Sequence, residues 1–354
     1  MSSSLIEKQI LSFSQLGFLI QGYLSFLGLT QGIKDEFKEA IRQSVENNAW
    51  FTEENIKQSL RSIAHGMLLP SKLKRWVSQY DIPEHKEVKD VGIVMAGNIP
   101  LVGFHDLLCV LFSGNRAVIK TSSKDKFLLP MLINQLINID HRITDRVEFV
   151  PDREFGNVQM IIATGGDNTH RYFESEYGNI PHIFRKNRSS VAILNGKESQ
   201  EELMDLAKDV FSYFGLGCRN VSKIFFPKAY NFSTLLNVFF VYKHLEEQEN
   251  YRSAYRYAKA LLKMSNVNFI DGGFFVMYPS QNLHPKVAEV VYEEYEDLEQ
   301  LADYLRMQEG DLQCIATNTN VNNLLQIVPL GETQTPQLQD YADSIDVMEF
   351  LLKH

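Results

Sequence analysis

The spacing of apolar residues changes rhythm along the chain. Up to about residue 80 it is helical: Ile6, Ile10, Phe13, Leu16 and Ile20 recur near a period of 3.6, and no alternating run interrupts them. Within this region "LGFLIQGYLSFLGL" (residues 16–29) is apolar but carries Gln21. It is too short to span a bilayer, and no basic start or small-residue cleavage site frames it. The stretch reads as a buried amphipathic helix. Thr52 is placed to cap a further helix, with Glu53 and Glu54 in its first turn, running through Leu60, Ile63 and Met67. In "LLPSKLKRWV" the chain breaks and restarts at Pro70.

From residue 88 short β-rich runs alternate with helical ones. "VKDVGIVMAG", "GNRAVIK", "RVEFVP", "VQMIIATGG" and "SSVAIL" read as strands. Residues 102–112 and "DKFLLPMLINQLINI" read as helices, the second interrupted near its start by Pro130. Such alternation implies βαβ units and a largely parallel sheet, an architecture that binds nucleotides at the carboxyl ends of its strands. A long helix comes next. Leu203, Leu206, Ala207, Val210, Phe211 and Phe214 share one face, and Gly215 is a natural stop. "KIFFP", "FFVMYP", "VAEVVYEEY" and "LQCIATN" are strands of a second α/β portion reaching about residue 330, with "DLEQLADYLRM" among its helices.

Composition adds bounds. A chain of 354 residues, 44% hydrophobic and 22% charged, is long enough for two domains with full cores. A net charge of −9 argues against nucleic-acid binding. Cys109, Cys218 and Cys314 have no paired spacing, so neither a disulfide framework nor a zinc site is expected, and a reducing cytoplasm suits the chain.

Cys218 stands out in "SYFGLGCRNVSK". Gly215 and Gly217 clear space around the sulfur, and Arg219 and Lys223 bring charge that favours thiolate. Cys109 and Cys314 sit in apolar runs and read as small buried hydrophobes. In "AGNIPLVGF", Asn98 follows a strand at a glycine turn and Pro100 starts a helix; the amide can donate to an oxyanion or simply close a local turn. Lys120 ends a strand, where it can meet a nucleotide's ribose or phosphate or remain a solvated lysine. Ser122 or Ser123 is placed to cap the segment after it. In "IIATGGDNTHRYF", Thr164 ends a strand and Gly165 and Gly166 lead into a helix whose amino terminus can hold phosphate; a plain connecting turn is the alternative.

In this order, "GNIP", "SGNRAVIKTSS", "IATGGD", "GCRNVSKIFF" and the ending "IVPLG…DYADSIDVMEFL" resemble the LuxC-type acyl-CoA reductase branch of the aldehyde dehydrogenase superfamily, over residues 85–354. The resemblance implies an aldehyde dehydrogenase-like α/β fold: a helical amino-terminal segment (1–84), an NAD(P)-binding domain (85–196), a catalytic domain carrying the thiol (197–330) and a carboxy-terminal return segment (331–354), with the active site between the two α/β domains. It makes Cys218 the nucleophile. Asn98, with the Cys218 backbone N–H, forms the oxyanion hole. Lys120, Ser122, Ser123, Thr164, Gly165 and Gly166 become cofactor contacts, with Lys120 on the adenosine ribose and the glycines under the pyrophosphate. No metal is implied.

Two departures from the hydrolytic relatives bear on chemistry. Ser123 stands where their Lys-Pro-Ser-Glu motif holds ribose hydroxyls with glutamate. Its loss removes an anion that would repel a 2′-phosphate and favours NADP(H), with NAD(H) the alternative. "ILNGK" (residues 193–197) aligns with Glu-Leu-Gly-Gly-Lys, which puts Ile193 in place of the water-activating glutamate. The expected activity is reduction of an acyl-CoA, of fatty type, to aldehyde through a cysteine thioester. An acyl-phosphate reductase of glutamyl-phosphate type is the same-fold rival, and a nonenzymatic nucleotide-binding or scaffold protein the rival of another class. No membrane span is expected. A homo-oligomer is, and an acyl-transfer partner protein is compatible with the chemistry. Phe211, Phe214, Phe225, Phe274 and Phe275 read as core before tunnel.

Overall fold

A computed structural model describes residues 3–25, 27–83, 87–151, 155–321, 324 and 326–354. The chain divides into two compact units: residues 1–187, 335–341 and 345–354, and residues 188–334 with 342–344.

The first unit opens with α1 (Ser3–Leu24), α2 (Gln31–Asn47), α3 (Glu53–Gly66) and α4 (Pro70–Val77). Thr52 Oγ1 accepts the Asn55 N–H at 3.1 Å, and Pro70 occupies the first turn of α4, where its missing N–H costs nothing. Then β1 (Asp90–Val94), α5 (Phe104–Phe112), β2 (Arg116–Lys120), α6 (Leu128–Ile139), β3 (Val147–Phe149), β4 (Met160–Thr164), α7 (Asp167–Tyr177) and β5 (His182–Arg185) build a parallel sheet of order β3-β2-β1-β4-β5. Phe13, Leu16, Phe37, Leu60 and Trp76 from the amino-terminal helices share one core with Leu107, Leu111, Leu132 and Leu136 of α5 and α6.

Several expectations shift. The apolar stretch at 16–29 is helical only to Leu24, and Phe18 and Leu27 are exposed. Pro130 does not interrupt α6. As its third residue, it lacks an N–H that would have found no intrahelical partner there. Pro100 starts a turn, and α5 begins only at Phe104, because Leu101 is left-handed at φ 61°. The strand β5 in "HIFR" is too short for its sequence pattern to announce it.

The second unit contains β6 (Ser189–Ile193), α8 (Gln200–Phe211), β7 (Val221–Pro227), α9 (Phe232–Phe239), α10 (Glu249–Met264), β8 (Ile270–Asp271), β9 (Val276–Pro279), β10 (Glu289–Tyr295), α11 (Leu298–Met307), β11 (Leu312–Ala316) and β12 (Ile327–Val328). Its sheet runs β12-β11-β6-β7-β10-β9-β8, parallel except for β8 against β9. The family resemblance put the end of the nucleotide-binding domain at 196. Pairing of β6 with β7 and β11 instead places the division after Asn187. α12 (Val347–Lys353) clusters with the first unit. Among the described residues no helix is long and apolar enough to cross a membrane.

Candidate active site

In the second unit α8 starts at a capping box: Ser199 Oγ accepts the Glu202 N–H while Glu202 accepts the Ser199 N–H. It stops at Phe211, short of the expected Gly215. Ser212 is not helical, and Tyr213, Phe214 and Gly215 are all left-handed, at φ 52°, 59° and 74°. Such backbone in bulky residues costs roughly 1–2 kcal/mol each and persists only where the surroundings hold it. Asn220 does the holding. Its buried side-chain amide donates to the Ser212 carbonyl at 2.8 Å and the Asp209 carbonyl at 3.0 Å, filling acceptors that the end of α8 leaves open, and it accepts the Gly217 N–H at 2.8 Å.

Residues 217–220 form a turn closed by Asn220 N–H to the Gly217 carbonyl at 3.0 Å, and Cys218 sits within it, exposed. Ser190 Oγ donates to the Cys218 carbonyl at 2.9 Å and can then accept only from the Cys314 thiol, 3.1 Å away. Cys109 and Cys314 are buried, and burial pushes the Cys109 thiol well up. Of the three cysteines Cys218 alone is exposed.

The cations expected beside the thiol are otherwise engaged. Lys223 is fully buried on β7, pairs with Glu293 at 3.2 Å, and burial lowers its pKa against that pairing. Arg219 Nε donates to the Thr333 carbonyl at 2.6 Å. Thr333 belongs to a segment held by Asp209, a fully buried carboxylate of α8 that accepts the Gly331 N–H at 2.6 Å and the Thr333 N–H and hydroxyl at 3.1 and 2.7 Å. Burial raises Asp209 to about 6 despite these bonds. Neither Asp209 nor Asn220 carries a sequence signal beyond being polar in an apolar context.

Ile193 does not stand at the thiol. Ser190 pairs with Val221 at the end of β6 that holds Cys218, whereas Ile193 pairs with Phe225 three residues along and is buried in the core. The alignment of "ILNGK" is therefore withdrawn. The five phenylalanines proposed as core are buried, and Phe211 meets Phe274 and Phe275 at ring-centroid distances of 5.0 and 5.3 Å.

In the first unit the other candidates lie at the carboxyl edge of the five-stranded sheet. Asn98 is exposed in the bend leaving β1. Gly97 beside it has no room for a side chain, since a Cβ would overlap Ser122 Oγ. The loops after β1 and β2 are thus pressed together, and α2 ties them. Asn47 donates to the Ser123 carbonyl at 2.8 Å, and Asn48 donates to Lys124 and Gly97 carbonyls at 3.3 and 3.4 Å. Neither serine caps α6, whose N-cap is Phe127. Ser122 Oγ instead accepts the Lys124 N–H at 3.2 Å, and Ser123 is exposed. Lys120 Nζ donates to the Thr121 carbonyl at 3.2 Å. On β4, Thr164 Oγ1 accepts from Arg185 at 3.3 Å, and Gly166 is the N-cap of α7. Arg185 is locked to Asp106 of α5 by a buried bidentate pair at 2.5 and 2.7 Å. This pair fixes α5 against the end of β5, and no sequence spacing announced it. Asp125, between β2 and α6, accepts the Leu101 N–H at 2.7 Å. Its other oxygen is buried without a hydrogen-bond partner among the described residues, and burial raises its pKa to about 6.

A parallel sheet whose order reverses beside its first strand, followed by a second mostly parallel sheet, is an aldehyde dehydrogenase-like fold. Solved structures agree. Aldehyde dehydrogenase 21 from Physcomitrella patens, in complex with the reaction product succinate, matches at TM-score 0.64 and 12% identity, over 97% of this chain and 84% of that one. A P. syringae indole-3-acetaldehyde dehydrogenase variant in complex with NAD+ matches at TM-score 0.62 and 11% identity, over 91% and 73%. At these identities the likeness is one of fold. The chain belongs to the acyl-CoA reductase (LuxC) family, whose model matches residues 30–233, more than half of the 354 residues. The long-chain acyl-protein thioester reductase of Aliivibrio fischeri is 28% identical over 228 residues, 60% of this chain and 44% of that protein. The long-chain acyl-protein thioester reductase 2 of Photobacterium leiognathi is 24% identical over 173 residues, 44% and 35%. In each case the match spans less than half of the relative's length.

Proposed function

We propose that this protein reduces a fatty acyl thioester, acyl-CoA in the first instance, to the aldehyde, with Cys218 as nucleophile. One observation carries the reading: Cys218 is exposed on a turn that strained backbone and buried hydrogen bonds hold in place, whereas Cys109 and Cys314 are buried. Its thiolate attacks the thioester carbonyl, and the CoA thiolate leaves an acyl-enzyme. Asn98 and the Cys218 N–H are the donors assigned to the oxyanion.

A nicotinamide dinucleotide suits the first unit. The sheet order reverses between β1 and β4, where such sheets bind ligands at their carboxyl ends. Lys120, Ser122 and Ser123 would meet the ribose side. Thr164, Gly165 and Gly166 would lie under the pyrophosphate, where a Cβ on Gly166 would come no closer than 4.0 Å to Asn187. When bound, the reduced nicotinamide supplies the hydride that turns the thioester into aldehyde and returns Cys218 as thiolate. NADP(H) is the proposed form, on the strength of Ser123. NAD(H) is the alternative, since the P. syringae structure is a complex with NAD+. The names of both curated relatives place their acyl group on a protein thioester, so a protein-borne donor is the second substrate to try.

The test is mass spectrometry after incubation with a long-chain acyl-CoA and no nicotinamide. An acyl adduct on Cys218, discharged as aldehyde on adding NADPH, is expected. An adduct on Cys109 or Cys314, or full turnover by Cys218→Ala, would overturn the assignment.

A further inference from the structure

Asp209 lies in α8, yet its carboxylate is spent on a segment more than a hundred residues away. It accepts the Gly331 N–H, the Thr333 N–H and the Thr333 hydroxyl. The same segment is pressed onto α8 at two further points. Lys208 Nζ donates to the Gly331 carbonyl at 2.9 Å, and Gly331, at φ 88°, packs so closely that a Cβ would lie 2.7 Å from the Asp205 carboxyl. The far side of the segment faces the thiol turn, because the Thr333 carbonyl receives Arg219 Nε at 2.6 Å. Arg219 directly follows Cys218. Asn220, next in the chain, is anchored to the carbonyl of Asp209 itself at 3.0 Å.

The structure assigns to Asp209 the role of a positioning residue that sets the Cys218 turn through the Gly331–Thr333 segment and Arg219. The inference rests on reading Cys218 as the nucleophile and adds a residue that touches neither substrate nor cofactor. Stability is only part of what this arrangement provides. A buried carboxylate is costly to desolvate, and part of what it returns is stability, since without it two N–H groups and a hydroxyl would be stranded. Beyond that, what the carboxylate supplies is direction. It fixes N–H groups on both sides of Glu332, so the Thr333 carbonyl points at one place and the guanidinium is held there.

The test is the alkylation rate of Cys218 by iodoacetamide, read by mass spectrometry on the full folded chain, in a cycle of Asp209→Asn, Arg219→Gln and the double variant. The amide introduced by Asp209→Asn would turn a donor toward N–H groups. Each single change should shift the rate about twofold or more, the smallest coupling such cycles resolve, and the double variant should shift it no further than the larger single one. Continued protection of Cys109 and Cys314 shows that both units stay folded. Independent effects that multiply in the double variant would overturn the proposal. So would an unchanged Cys218 rate in Asp209→Asn with the buried thiols still protected, since a purely structural Asp209 lowers the unfolding midpoint without touching the folded turn. If Asp209→Asn exposes the buried thiols, Thr333→Val replaces it in the cycle. That variant removes only the hydroxyl bond and must still couple to Arg219→Gln, or the proposal fails. Alkylation needs neither acyl thioester nor nicotinamide. Failure of the cycle therefore leaves the reductase reading standing, and failure of the reduction assay leaves the coupling standing.

Discussion

Replacing Asn220 by alanine should destabilise the second unit and leave the first untouched. The amide is buried and closes two ends at once: it donates to Ser212 and Asp209 carbonyls at the end of α8 and accepts the Gly217 N–H in the thiol turn. Alanine leaves these groups without that partner. Each buried polar group so stranded costs about 1–3 kcal/mol. Water can reach the half-buried Gly217, so the two carbonyls set the sum at about 2–6 kcal/mol, a large share of the roughly 5–15 kcal/mol that holds a domain together. With a urea dependence of about 2 kcal/mol per molar, the midpoint should fall by about 1–3 M. The chain carries its own reporters. Cys314 is buried in the second unit and Cys109 in the first, so pulse alkylation across a urea series reads each unit separately, and both tryptophans, Trp50 and Trp76, report only the first. The Cys314 midpoint should move and the Cys109 midpoint should stay. Asn220→Asp, which keeps an acceptor for Gly217 but turns a carboxylate toward carbonyls, should move it at least as far. A Cys314 midpoint unchanged in Asn220→Ala, or a joint shift of both thiols, would refute the reasoning.

Asn98→Ala should lower turnover by roughly 100- to 1,000-fold with a smaller change in the Michaelis constant, since an oxyanion donor acts mainly in the transition state; a change confined to the Michaelis constant would make Asn98 a substrate-positioning residue. Ser123→Glu should weaken NADPH use selectively while NADH use persists, measured as kcat/KM for both cofactors; equal losses would show that residue 123 does not read the 2′ position. Asp125 rises from 3.8 to about 6 on burial, so its favourable contribution to folding is present in full below about 3.8 and is lost as pH climbs through 6, a swing of about 3 kcal/mol. The urea midpoint of the first unit, read by the fluorescence of Trp50 and Trp76, should fall between pH 4 and 7, and Asp125→Asn should flatten that slope; an unaltered slope would place the titration elsewhere.

The parts of the candidate site that were legible in the sequence are those carried by neighbours along the chain. Gly217 beside Cys218, Asn98 after a glycine turn, and Gly165–Gly166 between a strand and a helix are local patterns, and each is found at the expected junction. The misreadings came where a local pattern had to be given a distant partner. Lys223 looked like a cation for the thiol because it is five residues away, but strand alternation turns it into the sheet against Glu293. Ile193 looked like the site of a missing base because "ILNGK" is short enough to align by eye. The register of β6 against β7 puts it at the wrong end of the strand. Phe214 fits the helical face of α8 by spacing alone, yet the chain has already left the helix, because Asn220 offers the last carbonyls a better partner than another turn would.

The sequence by itself determined the α/β alternation, the helix starts at Thr52 and Pro70, and which cysteines sit in apolar runs. Backbone dihedral preference, capping and side-chain periodicity act within a few residues and need no knowledge of the rest of the chain. Only the tertiary structure decided the strand orders, the allotment of β6 to the second sheet, the Asp106–Arg185 lock and the grip of Asp209 on Gly331 and Thr333. Each joins residues 79 to 124 positions apart or depends on which strand lies beside which. Such pairings are chosen by burying whole faces at once. A charge or amide then becomes important because of where that burial leaves it, which no stretch of a dozen residues can express.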